Sequence, residues 1–277
     1  MSSLKVAVVG KGGVGKTTVA SVLARNLFYR GFKVLAIDAD PNSNLALALG
    51  MSPEEAEKII PIAENADLIE EKTGVNPSST SPMFRLSFRV DDIIDRFAVE
   101  TPSGVNLIVM GEIRTSGQGC MCPANALVRA ILRHLLTKRD EAVIVDMEAG
   151  VEHFGRGTAE HVDVMLIVTE PSLKSLETVK RIYKLSKEMG IKTIRAIGNK
   201  ITDPSDEKTV RDFCQVHSIP IFGLIPYDES IRKSDANGVA LEAHSKGLNS
   251  IQQLSEKILD LVKEPPKQIY REKSAET

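Results

Sequence analysis

The sequence has no tryptophan, and aromatic residues make up only 4% of its 277 positions. We therefore expect an aliphatic core of valine, isoleucine, leucine and alanine. It also has no apolar run of about 18 residues, so no transmembrane helix is predicted, and its first apolar stretch is too short for a secretory signal. The formal net charge is only −2. That balance gives no global field favouring nucleic acid or an anionic membrane as a partner.

Cysteine is scarce as well. The chain contains three cysteines, too few for a disulfide framework in a protein of this length. Together with the missing signal, this predicts a cytoplasmic protein. The length suits one large α/β domain with a sizeable core.

Short β-rich apolar runs alternate along the chain with longer helical patterns. This alternation predicts an α/β fold, with a mostly parallel central sheet flanked by helices on both faces. Strands are predicted at 4–10, 32–38, 105–110, 142–147, 163–169, 192–198 and 220–225. Helices are predicted at 16–30, 43–49, 124–138, 172–189 and 247–263, with shorter ones near 54–72, 91–97 and 206–217.

Residues 51–103 interrupt this rhythm, since they contain five prolines and a polar stretch. We interpret them as an insertion of short helices and loops, not as a separate unit. The sequence thus predicts a single domain over 1–264. The charged segment 265–277 is expected to be a flexible tail.

A phosphate-loop motif, G-x-x-x-x-G-K-[ST], runs from Gly10 to Thr17. In such a loop backbone amides cradle a polyphosphate at a helix N-terminus, while Lys16 reaches the β- and γ-phosphates and the Thr17 hydroxyl ligates Mg²⁺. The other residues assigned to the nucleotide here are Gly12, Gly13, Val14, Gly15 and Thr18.

A second lysine, Lys11, stands at the first variable position of the motif. The phosphate-loop scheme gives it no local task. We therefore interpret it as a contact to a nucleotide bound in a partner subunit. The alternative is an ordinary solvated lysine.

Carboxylates lie at or just beyond the carboxyl ends of two of the predicted strands, at the sheet edge where open α/β folds bind ligands. Asp38 is predicted to hold a Mg²⁺-bound water, Asp40 to position or deprotonate the attacking water, and Asp146 to complete the Mg²⁺ shell. For the first two, an Asp-Pro turn with Ser43 as a helix N-cap is the alternative. Asn199 follows a third strand, where its amide is predicted to pair with an adenine edge, a simple polar turn being the alternative. Together these segments predict an ATPase that binds ATP or ADP with Mg²⁺.

Cys120 and Cys122 lie one residue apart in a glycine-rich stretch before a helix predicted to begin near Pro123. Thiolates near a helix N-terminus have a lowered pKa, which favours metal binding. Two thiolates leave a tetrahedral site incomplete, but a two-fold dimer brings four together. Lys11 favours the same assembly for an unrelated reason. The alternative is a pair of packed or incidental small residues.

Four further candidates are not assigned to a metal. Cys214 lies in a helical pattern and is predicted to be a core thiol. Glu148, Glu152 and His153 follow the strand that ends at Asp146. We interpret these three as salt-bridging or capping residues.

A family resemblance is carried by the segments KGGVGKTT and DADPNSN. They resemble the deviant-Walker-A (SIMIBI, MinD-type) ATPases, which include MinD, ParA, ArsA and the nitrogenase iron protein. In that family the extra lysine, here Lys11, reaches across an ATP-sandwich dimer to the neighbour's phosphates. Within the class, the CooC-type nickel-insertion ATPases are similar in the segments GCMCPANALVRAIL and DMEAGVEHFGRGT. This resemblance implies that Cys120 and Cys122 bind Ni²⁺ or Zn²⁺ at the interface of a homodimer.

The resemblance also implies a function, that of an ATP-dependent metallochaperone whose client is carbon monoxide dehydrogenase or acetyl-CoA synthase. Two alternatives stay open: an iron–sulfur scaffold or reductase ATPase, and a MinD- or ParA-like positioning ATPase that acts on membrane or DNA. The last needs a basic amphipathic terminal helix. The apolar stripe within 247–263 instead favours a core-facing helix, and the segment after it has mixed charge.

Overall fold

The computed structural model describes residues 4–75, 91–111, 123–138, 141–149, 156–238 and 245–263. Within these ranges the strands are β1 (Leu4–Gly10), β2 (Val34–Ala39), β3 (Val99–Glu100), β4 (Asn106–Val109), β5 (Ala142–Glu148), β6 (Val164–Thr169), β7 (Ile194–Ile201) and β8 (Ile221–Pro226). The helices are α1 (Lys16–Tyr29), α2 (Leu45–Ala48), α3 (Pro53–Ala56), α4 (Ala66–Thr73), α5 (Asp91–Phe97), α6 (Pro123–Lys138), α7 (Arg156–Ala159), α8 (Leu173–Glu188), α9 (Pro204–Val216), α10 (Glu229–Asn237) and α11 (Lys246–Lys263), with a 3₁₀ turn at Ile62–Glu64.

The described strands form one sheet in the order β3-β4-β2-β5-β1-β6-β7-β8. The pairs are parallel except β3 with β4, which is antiparallel. Every residue of β1 and of β2 is buried. Such strands read as continuous apolar runs because helices cover both faces of a parallel sheet. The predicted fold class is confirmed.

Two cores lie on the two faces of the sheet, and alternate residues of each strand enter them. Ala7 and Val9 of β1 pack into the core that contains α6, α8 and α9. Val6 and Val8 pack into the other, with α1 and α11. This division follows from the two-residue period of side chains along a strand. The core-facing stripe predicted for α11 is confirmed, since Leu248, Ile251, Leu254 and Ile258 are buried.

The seven predicted strands are all present, with ends that differ by no more than three residues. The two-residue strand β3 and helices α7 and α10 were not predicted from the sequence. They are short or strongly polar, so they carry little apolar periodicity. The insertion contains α3, the 3₁₀ turn, α4, α5 and β3, while residues 76–90 and the predicted tail 265–277 lie outside the described ranges. Of the helices in the described ranges, none is long and apolar enough to span a membrane.

Gly10 lies where β1 pairs with β6, and the backbone of β6 leaves no room for a side chain at this position. A Cβ at this position would lie 2.4 Å from the backbone oxygen of Val168, whereas one at Gly12 would meet nothing within 4 Å. Gly10→Ala should therefore lower the free energy of unfolding by roughly 1–3 kcal/mol, the usual cost of overpacking. Gly12→Ala is the matched control and should change it by less than about 0.5 kcal/mol. Urea unfolding of both variants measures this, and equal effects would contradict the packing argument.

Candidate nucleotide site

The segment between β1 and α1 forms a loop around the N-terminus of α1. Gly13 and Gly15 have φ angles of +80° and +92°, a left-handed conformation that glycine adopts without steric cost. Gly15 is also the N-cap of α1 and supplies no side-chain hydrogen bond there. The first amides of α1 are therefore available to an anion. Beside this loop lies a cavity of about 370 Å³ lined by Lys16, Thr17 and Thr18 among others.

Lys16 forms a buried ion pair at this cavity. Its Nζ lies 3.0 Å from Oδ2 of Asp40, and the two side chains are 5% and 9% exposed. The other oxygen of Asp40, Oδ1, accepts a hydrogen bond from the amide of Asn42 at 2.9 Å. Both partners of the pair line the cavity. Phosphate oxygens entering the cavity can thus meet the Lys16 ammonium next to a carboxylate.

Asp146 lies under the same loop and is completely buried. Its Oδ2 accepts a hydrogen bond from Thr17 Oγ1 at 2.6 Å, while its Oδ1 has no hydrogen-bond partner among the described residues. Burial, followed by the negative charge of Asp38, raises the pKa of Asp146 to about 7. A hydroxyl and a carboxylate with one unsatisfied oxygen are hard ligands of the kind that Mg²⁺ prefers. Thr17 and Asp146 therefore fit the predicted Mg²⁺ site.

Asp38 is paired in register with Asp146 across β2 and β5, but its oxygens are directed to its own loop. Its Oδ1 accepts from the amide of Asp40 at 3.2 Å, and its Oδ2 accepts from Ser43 Oγ at 2.6 Å and from the amide of Leu45 at 2.9 Å. Burial raises the pKa of Asp38 even though these hydrogen bonds lower it. Asp38 thus orders the turn before α2 and does not line the cavity. Ser43 serves the same turn, but the N-cap residue of α2 is Asn44.

A second cavity of about 170 Å³ shares Gly15, Thr18, Lys200 and Asp235 with the first. Asn199 lines it, and the Asn199 Nδ2 donates to the carbonyl of Val14 at 2.8 Å. The two cavities thus adjoin at the start of α1, and we refer to them together as the groove. The larger part is bounded by the phosphate loop and the smaller part by the ends of β7 and β8.

Sequence reasoning missed several residues that line this groove. Asp235 on α10 lines the larger cavity, and so does Glu148 at the end of β5, which we interpreted from the sequence as a salt-bridging or capping residue. Tyr227 and Asp228 follow β8 and line the smaller one. Tyr227 and Asp228 could have been predicted from the sequence, because they follow a predicted strand just as Asp40 and Asn199 do. Asp235 lies on a helix without apolar periodicity, so no sequence pattern predicted its place in the site.

Lys11 is half-buried and lines neither cavity. Cys120, Cys122, Glu152 and His153 lie outside the described residues. Inside the described ranges, no group of three or more histidine, cysteine, aspartate or glutamate side chains is suited to hold a metal ion.

Cys214 on α9 is a core thiol, as predicted. It is completely buried in the core beneath α9. Burial raises its pKa to about 11, which makes it a poor thiolate at neutral pH. Any thiolate metal site in this chain therefore has to draw on the other two cysteines.

Comparison with known proteins gives a consistent result. Residues 5–241 match the family model described as the CobQ/CobB/MinD/ParA nucleotide binding domain. The carbon monoxide dehydrogenase accessory protein CooC of Rhodospirillum rubrum is 46% identical over 237 residues, covering 86% of this chain and 89% of that protein. An uncharacterised ATP-binding protein of Methanocaldococcus jannaschii is 44% identical over 259 residues, covering 93% and 98%.

Solved structures agree on the fold. A ParA family ATPase from Chlorobium tepidum superposes with a TM-score of 0.67 at 23% identity, covering 92% of this chain and 98% of that one. The septum site-determining protein MinD of Pyrococcus horikoshii, complexed with Mg-ADP, superposes with a TM-score of 0.61 at 21% identity, covering 92% and 96%.

The raised pKa of Asp146 predicts a pH-dependent stability. A carboxyl whose pKa is higher in the folded state contributes stability at low pH, and this is lost as pH rises through the folded pKa, here about 7. Without nucleotide and Mg²⁺, Asp146→Asn should therefore raise the free energy of unfolding by about 1–3 kcal/mol at pH 8 and by little near pH 4. Denaturant unfolding across this pH range measures the difference.

Asp206→Asn is the matched control. Hydrogen bonds from Thr202 lower the pKa of the half-buried Asp206 carboxyl, so its removal should bring no gain in stability at high pH. A gain for Asp146→Asn that does not change with pH would contradict the argument from burial.

Proposed function

The chain belongs to the CobQ/CobB/MinD/ParA family of nucleotide-binding domains, and on this basis we propose that it is an ATP-hydrolysing metallochaperone that assists nickel insertion into carbon monoxide dehydrogenase. The ATPase half rests on the geometry of the phosphate loop. The nickel half rests on the 46% identity with the carbon monoxide dehydrogenase accessory protein of Rhodospirillum rubrum. Acetyl-CoA synthase is the alternative client.

The observation that carries the ATPase half is the Lys16–Asp40 ion pair at 3.0 Å on the cavity wall. We expect the β- and γ-phosphates of ATP to compete for the Lys16 ammonium and to release the Asp40 carboxylate. Asp40 is then free to orient a water molecule and accept its proton. Mg²⁺ held by Thr17 and Asp146 would neutralise charge on the phosphate oxygens.

The smaller cavity is the proposed adenine site. It opens directly from the phosphate end of the groove, so one nucleotide can extend from the phosphate loop to the ends of β7 and β8. The Asn199 side chain lines this cavity, in keeping with the predicted contact between its amide and the base.

The proposed assembly is a homodimer, for which Lys11 supplies the structural reason. Lys11 belongs to the phosphate loop but lines neither cavity of its own subunit. A cation in this position is suited to the phosphates of a second subunit, where it would act as a charge clamp on the transition state. The same two-fold axis would bring Cys120 and Cys122 of both subunits together around Ni²⁺ or Zn²⁺. Loss of the γ-phosphate would loosen this closed form and release the metal to the client.

The role of Lys11 in the partner site can be tested by substitution. Lys11→Ala should bind ATP with unchanged affinity but lower its turnover by a factor of about a thousand or more, the size of effect known for a charge clamp supplied in trans. Steady-state hydrolysis and nucleotide titration measure the two quantities. Lys33→Ala removes an exposed lysine just before β2 and should leave both unchanged. Unchanged turnover in Lys11→Ala would exclude the trans role.

The shared metal site is tested by metal quantification on size-exclusion fractions, with and without ATP. The wild type should carry one Ni²⁺ or Zn²⁺ per dimer, and Cys120→Ala/Cys122→Ala should carry none. Cys214→Ala, which removes only the buried thiol, should keep the metal. Metal retained by the double variant would refute the site. Iron in the protein, with the visible absorption of an iron–sulfur cluster, would favour an iron–sulfur scaffold or reductase ATPase. Binding to lipid vesicles or DNA would favour a MinD- or ParA-like positioning ATPase.

A further inference from the structure

The end of β7 carries two consecutive side chains that both reach the phosphate loop. Asn199 Nδ2 donates to the carbonyl of Val14 at 2.8 Å, and Lys200 Nζ donates to the carbonyl of Gly13 at 2.6 Å. Consecutive residues of a regular strand point to opposite faces of the sheet. An irregularity in the strand at this point would let both side chains reach the same loop.

β7 does contain that irregularity. Gly198 pairs with Leu224 and Ile201 pairs with Pro226 of β8, so β7 holds one residue more than β8 between these pairs. An extra residue of this kind is a β-bulge, which re-aims side chains and is uncommon between parallel strands. Asn199 and Lys200 lie within it. The bulge thus directs both side chains towards the carbonyls of the phosphate loop.

Lys200 has a φ angle of +60°, which is unusual for a residue with a side chain. Among the non-glycine residues that the structure describes, Ser218 alone shares a positive φ. Ser218 follows the end of α9, where a left-handed residue is a common way to terminate a helix. Lys200 has no such local reason. Backbone strain of this kind persists where the surrounding structure demands it, and it concentrates at functional sites.

The ion pair of Lys200 with Glu170 does not account for the strained conformation. Its Nζ lies 3.8 Å from the carboxylate of Glu170, and both side chains are about a third or more exposed, at 43% and 32%. A pair this long and this solvated contributes little to stability. The hydrogen bond to Gly13 is short and its donor is charged, which makes it the stronger interaction.

We propose that Lys200 is a positioning residue for the phosphate loop, holding the Gly13–Val14 peptide in the orientation that receives a polyphosphate. A phosphate loop uses its amides for the ligand and leaves its carbonyls to the protein. Lys200 and Asn199, which also line the groove, satisfy the carbonyls of Gly13 and Val14 and so fix the two peptides that carry the amides of Val14 and Gly15. The Val14 amide makes a long hydrogen bond of 3.4 Å to the carbonyl of Lys11, so the Gly15 amide is the one that this arrangement leaves for the ligand. This inference rests on the proposed nucleotide site.

Three substitutions separate positioning from simple stabilisation. Lys200→Met removes the ammonium and keeps the strained backbone. Lys200→Gly removes the ammonium and also the strain, because glycine adopts a positive φ freely. Lys200→Arg keeps the positive charge. Lys208→Met, at an exposed lysine of α9 that lines neither cavity, is the control.

The measurements are the affinity for a fluorescent ADP analogue and the thermal midpoint without nucleotide. Lys200→Met and Lys200→Gly should both bind roughly tenfold more weakly than wild type, as expected for losing a hydrogen bond from a charged donor. Lys200→Gly should nonetheless melt at a higher temperature than Lys200→Met. Lys200→Arg should recover most of the affinity, and Lys208→Met should match wild type in both measurements.

Affinities of both Lys200 variants within twofold of wild type would overturn the positioning role, and so would an affinity that rises and falls with the melting temperature. A wild-type protein that does not bind the analogue at all would instead refute the proposed nucleotide site. The two failures are therefore distinguishable in one experiment.

Discussion

The burial of carboxylates at one edge of the sheet is the constraint on which the rest of the site depends. Asp38 and Asp146 are fully buried and paired in register on adjacent strands, and Asp40 is nearly as buried. Buried charge is tolerated only when it is paired or hydrogen-bonded. Lys16, the Thr17 hydroxyl and the amide of Leu45 provide that compensation. The same groups define the phosphate loop and the turn before α2.

These groups do not compensate the buried carboxyl groups completely. Of the three buried carboxyl groups, Asp40 pairs with the Lys16 ammonium, Asp38 is hydrogen-bonded within its own turn, and one oxygen of Asp146 has no hydrogen-bond partner among the described residues. A buried carboxyl oxygen without a hydrogen-bond partner favours a bound cation. The polyphosphate in turn needs cations to approach such carboxylates. The electrostatics therefore suit a metal–nucleotide complex better than either component alone.

The parallel sheet explains how residues so far apart in the chain meet. The carboxyl ends of β1, β2, β5, β7 and β8 all lie at one edge, so the loop after each strand contributes to a single groove. β7 supports the phosphate loop through its bulge, where Asn199 and Lys200 donate to two carbonyls of the loop. On the proposed metal side, α6 begins at Pro123, directly after the cysteine pair, and is anchored by the buried Leu127, Ile131 and Leu135.

The sequence by itself determined the fold class, the seven longer strands and the phosphate loop, because apolar periodicity and the glycine spacing are local properties of the chain. It also indicated that Asp40, Asp146 and Asn199 belong to one edge, since each lies at or just beyond the carboxyl end of a predicted strand. Only the tertiary structure decided which atoms meet. Asp38 serves its own turn, Asp40 pairs with Lys16, and Lys200 reaches Gly13 across 187 positions of the chain. These outcomes depend on strand register, on burial and on one extra residue in β7, none of which leaves a periodic signal in the sequence.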